Sequence, residues 1–151
     1  MTPVLVDDHL LLQILLGNEP ADLRPSGVPV ATTGLWYHRL CRAICDTSVV
    51  GALSRQLGGV DQDVAEAVVG SIIELPETIT VVSMRDLAWP MGKLTASGLR
   101  LNLLSLEALA AAQHLSAEIC LAAADVNEPL RTAAEEVSTP VRICEDERWN
   151  G

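Results

Sequence analysis

The sequence predicts an α/β fold of three layers, in which helices cover both faces of a central, mainly parallel sheet within a single domain. Short unbroken apolar runs, typical of strands buried on both faces, alternate along the chain with helical patterns. Aromatic residues are only 3% of the chain, so the core has to be packed from Leu, Val, Ile and Ala. The length of 151 residues is that of one domain.

The first strand is predicted at residues 4–6 and is followed by a helix over residues 9–16. Asp7 and Asp8 therefore stand at the turn from strand to helix. Asp is a favoured N-cap, and capping by Asp8 accounts for one of the two carboxylates. In open parallel sheets ligands bind at the carboxyl ends of the strands, so the pair is also a candidate site.

The middle of the chain is predicted to be mostly helical. Residues 28–31 form a candidate short strand, and Thr33 is a candidate N-cap for the helix LWYHRLCRAIC that follows. Two further helices are predicted, from Asp46 or Thr47 to Leu57 and from Asp61 to the residue before Pro76.

The second half alternates strands and helices. Strands are predicted at residues 79–83, 118–122 and 141–143. The helices between them cover residues 85–99, interrupted or kinked near Pro90, residues 103–115, with Ser105 as an early cap, and a segment from Asn127 or Glu128 to about Val137. Residues 1–144 then form the domain, and residues 145–151 form an acidic C-terminal tail that we expect to be frayed.

The formal net charge of −10 argues against a protein that binds polyanions non-specifically through its own basic residues. It does not exclude a nuclease, because clustered carboxylates reach a phosphate through a bound divalent cation, which reverses the local charge.

Four cysteines without a CxxC spacing, in a chain that shows no signal peptide, predict reduced thiols and a cytoplasmic protein. No apolar stretch is long enough to span a membrane, so no membrane partner is expected. His38, Cys41 and Cys45 share a helix face by their spacing, which makes a metal site conceivable there. A fourth ligand is lacking, and free Cys commonly packs as a small apolar residue, so we interpret this face as packing.

The opening VLVDDHLLL resembles the start of a response-regulator receiver domain, in which paired acids after the first strand hold magnesium. A receiver also has a phosphate-accepting aspartate at the end of its third strand and a lysine at the end of its last strand. Here DLAWPMG lies too late in the chain to supply the phosphate-accepting aspartate. Lys93, the only lysine, precedes the strands that it should follow. A receiver-like signalling domain is therefore the third choice.

A longer part of the chain resembles the PIN domain, the nuclease fold of VapC-like toxins from toxin–antitoxin pairs. The resemblance rests on VLVDD, on the helical middle, and on the late run SLEALAAAQHLSAEICLAAADVNEPLRTAAEEVSTPVRI. That run follows the family's order of an acid, an alanine-rich helix, an apolar strand, an aspartate, a helix and a last strand. The resemblance implies an α/β/α fold and a metal-dependent ribonuclease.

The resemblance implies catalytic roles for Asp7, Glu107 and Asp125, with Mg²⁺ or Mn²⁺ held by these three and by Asp8. Glu107 or Ser105 occupies the third acidic position, depending on where a small gap is placed. At the position of the family's third-helix glutamate stand Tyr37 and His38, and Ala123 replaces its threonine. The acidic site is thus degenerate with respect to the family.

Three residues of the helix after Thr33 are candidate phosphate contacts: His38, Arg39 and Arg42. The two arginines are three positions apart on one face, and the alternative is that both are simply solvated. Asn127 either supports the cleft or caps the next helix.

Two function classes follow from these residues. The first is an endoribonuclease that takes RNA as substrate, has an antitoxin protein as partner and forms a homodimer. The second is a catalytically inactive PIN-like interaction module, because function belongs to the site and not to the scaffold.

Overall fold

A computed structural model describes residues 2–46 and 61–145 of the chain. Its five strands, numbered in chain order, are β1 Val4–Val6, β2 Val30–Thr33, β3 Ile79–Val82, β4 Glu118–Ala122 and β5 Val141–Cys144. They form one sheet in the order β3-β2-β1-β4-β5, and every neighbouring pair is parallel. The predicted α/β class with a parallel central sheet is confirmed.

Within residues 2–46 and 61–145, six helices connect and cover these strands: α1 Asp8–Leu15, α2 Gly34–Cys45, α3 Gln62–Ile73, α4 Met84–Ala96, α5 Leu103–Leu115 and α6 Glu128–Glu136. Among the described residues, none of them combines the length and the apolar character that crossing a membrane requires. The helix predicted from Asp46 or Thr47 to Leu57, and the tail after residue 145, lie outside the described residues.

The second strand starts two residues later than the predicted range 28–31. Pro29 has no N–H to donate to a sheet, which delays the start of the ladder. Thr32 and Thr33 are fully buried, and the Thr32 hydroxyl donates a hydrogen bond to the carbonyl of Val6 at 2.9 Å. Their β-branched side chains fit a buried strand, so β2 continues through them.

The helix caps agree with the sequence at some positions and differ at others. Thr33 and Asn127 cap α2 and α6 through their side chains, as predicted. Asp7, and not Asp8, caps α1, and Asn102, and not Ser105, caps α5. Each cap lies before the predicted one because its oxygen has to reach the backbone N–H three residues on.

One helix contains a proline that was expected to interrupt or kink it. Pro90 lies inside α4, which is assigned as one helix from Met84 to Ala96. The predicted interruption is therefore not observed.

The core is divided between the two faces of the sheet. On one face Leu5 packs with buried residues of α4, α5 and α6. On the other face Val4 and Val6 pack with apolar residues of α1 and α3. Alternate residues of β1 thus enter opposite cores, and each fully buried side chain of this kind contributes about 1.5–3 kcal/mol. This burial holds β1 at the centre of the sheet.

The strand order reverses direction beside β1. The chain moves outward from β1 through β2 to β3 and then returns to place β4 on the other side of β1. In such sheets the crevice between the carboxyl ends of these two strands is where ligands bind. Receiver domains have the strand order 2-1-3-4-5, so the observed order counts against the receiver alternative.

The cysteines are free thiols at all four positions of the sequence, Cys41, Cys45, Cys120 and Cys144. Within the described ranges, His38, Cys41 and Cys45 do not bring their ligand atoms together as a metal-capable group. The interpretation of that helix face as packing agrees with this arrangement.

Candidate functional site

A cleft of about 370 Å³ opens at the carboxyl ends of β1 and β4. Of the candidate metal ligands and phosphate contacts, three line it, namely Asp7, Arg39 and Asp125. They come from the end of β1, from the middle of α2 and from the short 3₁₀ turn Ala123–Asp125 that follows β4. The reversal of strand order therefore brings together residues from distant parts of the chain.

Asp7 joins the two strands that border the cleft. Its Oδ1 accepts a hydrogen bond from the backbone N–H of Leu10, and its Oδ2 accepts one from the N–H of Ala122, both at 2.9 Å. The residue is only 1% exposed. Burial raises the pKa of the Asp7 carboxyl to about 6, although the two backbone hydrogen bonds act in the opposite direction.

Asp8 and Arg39 form a two-point ion pair. Asp8 is 0% exposed, and its two carboxylate oxygens accept hydrogen bonds from Arg39 Nε at 2.5 Å and from Arg39 Nη2 at 2.7 Å. The side chain of Arg39 is 37% exposed, so the guanidinium reaches the buried carboxylate from the cleft. These hydrogen bonds from Arg39 to Asp8 raise the pKa of Arg39 further.

Asp125 approaches the same guanidinium from the other side of the cleft. Its Oδ2 accepts a hydrogen bond from Arg39 Nη2 at 2.9 Å and lies 3.9 Å from His9 Nε2. The side chain of Asp125 is 46% exposed, whereas His9 is 9% exposed. One Arg39 nitrogen thus bridges two carboxylates.

Asp8, His9 and Asp125 could hold a metal ion. Each offers one ligand atom, and these atoms lie within 4.8 Å of one another. The donor set fits a divalent cation, since carboxylate oxygens suit Mg²⁺ and Mn²⁺ and imidazole suits transition metals. Of the four predicted metal ligands, the structure brings Asp8 and Asp125 into this group and leaves Asp7 and Glu107 outside it.

His9 is the member of the group that sequence reasoning did not select. Its signal was present, because it follows two aspartates at the end of a strand. Neighbouring positions on a helix point in directions about 100° apart, so a residue after Asp8 is not expected to share a group of ligand atoms with it. The cluster forms because Asp125 comes from the other strand and lies near both.

Glu107 is buried against the start of α2. Its Oε1 accepts a hydrogen bond from the backbone N–H of Leu35 at 2.8 Å. A Cβ at Gly34 would lie 3.7 Å from Glu107 Oε2, an ordinary van der Waals contact, so this approach does not require a glycine there. The carboxylate thus satisfies a free N–H in the first turn of α2, near the positive end of its dipole.

Ser105 is also buried, and it lies closer to residues of the cleft. Its hydroxyl accepts a hydrogen bond from Asn127 Nδ2 at 2.7 Å, and Asn127 lines the cleft. Asn127 both caps α6 and supports the cleft wall, so the two roles considered for it coexist. Neither Ser105 nor Glu107 faces solvent.

Replacement of Glu107 by Gln separates a capping role from a ligand role. Gln keeps an acceptor oxygen for Leu35, so we expect the free energy of unfolding to change by less than about 1 kcal/mol. The affinity for Mn²⁺, measured by calorimetric titration, should stay unchanged. Glu107→Leu is the matched control, since it removes the acceptor and should cost about 1–3 kcal/mol. A tenfold or greater loss of Mn²⁺ affinity in Glu107→Gln, about the loss typical of metal-site changes, would make Glu107 a ligand.

The other candidate phosphate contacts lie away from the cleft. His38 and Arg42 are exposed on α2 and are not among the residues that line the cleft. Tyr37 donates a hydrogen bond from its hydroxyl to the carbonyl of Ile72 and so ties α2 to α3. This segment thus supplies one cleft residue, Arg39, and one structural tyrosine.

The fold and the site together define a class of α/β protein with a parallel sheet. At the point where the strand order reverses, this sheet carries an acidic cleft in which an arginine pairs with two carboxylates. The sequence matches no protein-family model and no curated protein. The function therefore has to be argued from the cleft.

Proposed function

We propose that the protein is a PIN-like endoribonuclease that cleaves RNA in this cleft with Mg²⁺ or Mn²⁺, held by Asp8, His9 and Asp125. The observation that carries the proposal is the convergence of these three ligand atoms within 4.8 Å at the carboxyl edge of the sheet. A divalent ion held there would neutralise charge on a phosphate and make a water more acidic.

The remaining residues of the cleft have supporting parts in this proposal. Asp7 holds the end of β1 to the end of β4 and so fixes the distance across the cleft. Arg39, once a metal had taken over Asp8 and Asp125, would be free to contact a phosphate of the RNA. A net charge of −10 leaves little else to hold RNA, so binding should depend on the metal.

Several parts of the proposal come from the sequence and not from the cleft. They are the toxin–antitoxin setting, with an antitoxin protein as partner, the homodimer and the cytoplasmic location. The cleft itself supports a hydrolase more directly than it supports any of these.

A second candidate is the catalytically inactive interaction module. It is favoured by the ion pairs of Arg39, which already give Asp8 and Asp125 a shared partner without a metal. It is also favoured by Asp7 and Glu107, whose carboxylates accept backbone hydrogen bonds and thus have structural roles.

Cleavage of single-stranded RNA in the presence of Mn²⁺ or Mg²⁺ tests the proposal. We expect the unchanged protein to cleave and Asp125→Asn to lose at least about tenfold in rate, as is common when a group supporting a metal site is removed. Asp125 is suited to this test because its side chain is half-exposed, so the variant should fold. Glu136→Gln, which removes one exposed charge at the end of α6, is the matched control and should cleave normally.

Three results would go against the nuclease. Equal cleavage by all three proteins would indicate a contaminant. No cleavage, together with no shift of the thermal melt by metal, would favour the interaction module, because a ligand that binds only the native state has to stabilise it. Tight RNA binding without metal would contradict the expected metal dependence.

A further inference from the structure

We propose that Asp8, His9 and Asp125 form a site selective for a divalent transition metal such as Mn²⁺ over Mg²⁺, and that Arg39 is the cation which the metal displaces. The proposal rests on the metal-binding step of the proposed function but not on RNA cleavage. It specifies the class of metal that the site binds, and it identifies Arg39 as the residue that competes with the metal for the carboxylates.

His9 is the observation that points to a ligand. It is 9% exposed, and its Nδ1 is buried without a hydrogen-bond partner. Its Nε2 is directed toward Asp125 at 3.9 Å, which is too long for a hydrogen bond. With the proton of the neutral imidazole on Nδ1, the lone pair of Nε2 is available to a metal on the side of Asp125.

The distances allow an ion after a contraction of the site. Two ligand atoms that are each about 2.1 Å from one ion are about 3.0 Å apart at right angles and about 4.2 Å apart only when they lie on opposite sides of it. The three ligand atoms lie within 4.8 Å of one another, so they need to approach by up to roughly 2 Å. Asp125 can supply this movement, since its side chain is 46% exposed.

Arg39 contacts the two carboxylates that a metal ion would bind. Its guanidinium contacts both oxygens of Asp8 and one oxygen of Asp125. A single positive charge faces two carboxylates there, whereas a divalent ion would balance both. Since the Arg39 side chain is 37% exposed, it can turn into solvent without leaving a buried charge behind.

The imidazole sets the preference among metals. Mg²⁺ binds to oxygen ligands and gives up its water reluctantly, whereas Mn²⁺ and the later divalent metals accept imidazole more readily. A site of two carboxylates and one imidazole should therefore favour Mn²⁺ over Mg²⁺. Without His9 the remaining oxygen ligands should distinguish the two ions less.

Calorimetric titration of the metal-free full chain with MnCl₂ and with MgCl₂ tests the proposal without any activity assay. We expect one Mn²⁺ to bind at least about tenfold more tightly than Mg²⁺, and His9→Gln to lose most of that difference, because it replaces nitrogen by oxygen. Arg39→Met should raise the affinity for Mn²⁺ by about tenfold or more through loss of the competitor. His38→Gln, an exposed histidine on α2, should change neither affinity.

Several results would overturn the proposal. They are the absence of Mn²⁺ binding in both the unchanged protein and Arg39→Met, equal affinities for Mn²⁺ and Mg²⁺, or no effect of His9→Gln. If Arg39→Met does not fold, Arg39→Lys replaces it, since lysine cannot make the two-point contact with Asp8 and should also bind Mn²⁺ more tightly than the unchanged protein.

The proposed function and this inference fail in different ways. Mn²⁺ binding through His9 without RNA cleavage would leave the inference standing and remove the nuclease. RNA cleavage supported equally by Mg²⁺ and unaffected by His9→Gln would leave the nuclease standing and remove the inference.

Discussion

Replacement of Arg39 by Met is expected to lower the free energy of unfolding by about 3 kcal/mol at pH 7 in the presence of a chelator. The variant leaves the carboxylate of Asp8 buried without a partner, since Asp8 is 0% exposed. Loss of one partner of a buried ion pair costs about 3–5 kcal/mol, and the lower end applies because water reaches the position of the half-exposed guanidinium. Urea unfolding followed by circular dichroism measures the change.

A second arginine provides the control for this prediction. Arg131 pairs with Glu128 on the exposed side of α6, and Arg131→Met should change the free energy of unfolding by less than about 1 kcal/mol. Addition of Asp8→Asn to Arg39→Met should recover part of the loss, because it removes the unpaired charge. A loss below about 1 kcal/mol in Arg39→Met would show that the ion pair does not stabilise the fold.

As the pH rises from 4 to 7, the change in Asp7 ionisation should lower the stability of the metal-free protein by about 2.4 kcal/mol. The Asp7 pKa is raised from 3.8 to about 6 in the native state, mainly by burial. Between pH 3.8 and about 6, the Asp7 carboxyl is protonated in the native state and ionised in the unfolded state. The contribution of Asp7 is therefore fully present below pH 3.8 and is lost as the pH rises through about 6.

Asp7→Asn isolates this contribution. Asn cannot ionise, so the difference in unfolding free energy between the variant and the unchanged protein should shift in favour of the variant as the pH rises. Asn accepts only one of the two backbone hydrogen bonds, which lowers the stability of the variant by a similar amount at every pH. Asp86→Asn, at an exposed position in the first turn of α4, is the control. Parallel curves for Asp7→Asn and the unchanged protein would contradict the raised pKa.

The strands of this fold could be predicted because their signals are local. The run Val4–Val6 is apolar throughout, and the structure buries it on both faces. The end of β2 could not be placed from the same rule, since Thr32 and Thr33 read as polar and are buried only through contacts such as the one with Val6. Burial of a hydroxyl depends on the partner that tertiary structure supplies.

The location of the candidate site could be predicted from the sequence, whereas the ion pairs and hydrogen bonds within the site were harder to predict. Asp7 and Asp125 follow apolar strands, and the sheet brings both to one cleft as such positions imply. The partners of Arg39 lie 31 and 86 residues away, and no spacing rule connects residues so distant. Glu107 was assigned by resemblance, whereas its bond to Leu35 depends on how α5 packs against the start of α2.

The position of β1 has a consequence for synthesis of the chain. β1 is made first and lies at the centre of the sheet, yet Asp7 and its partner Ala122 in β4 are 115 residues apart. At about 5–20 residues per second, the nascent chain carries β1 for roughly 6–23 s before β4 is made. During that interval one edge of an apolar strand is unpaired, which exposes it to pairing with other chains. Completion of the sheet, and of the cleft with it, therefore waits until β4 and β5 have been made, and folding is governed by this late, non-local step.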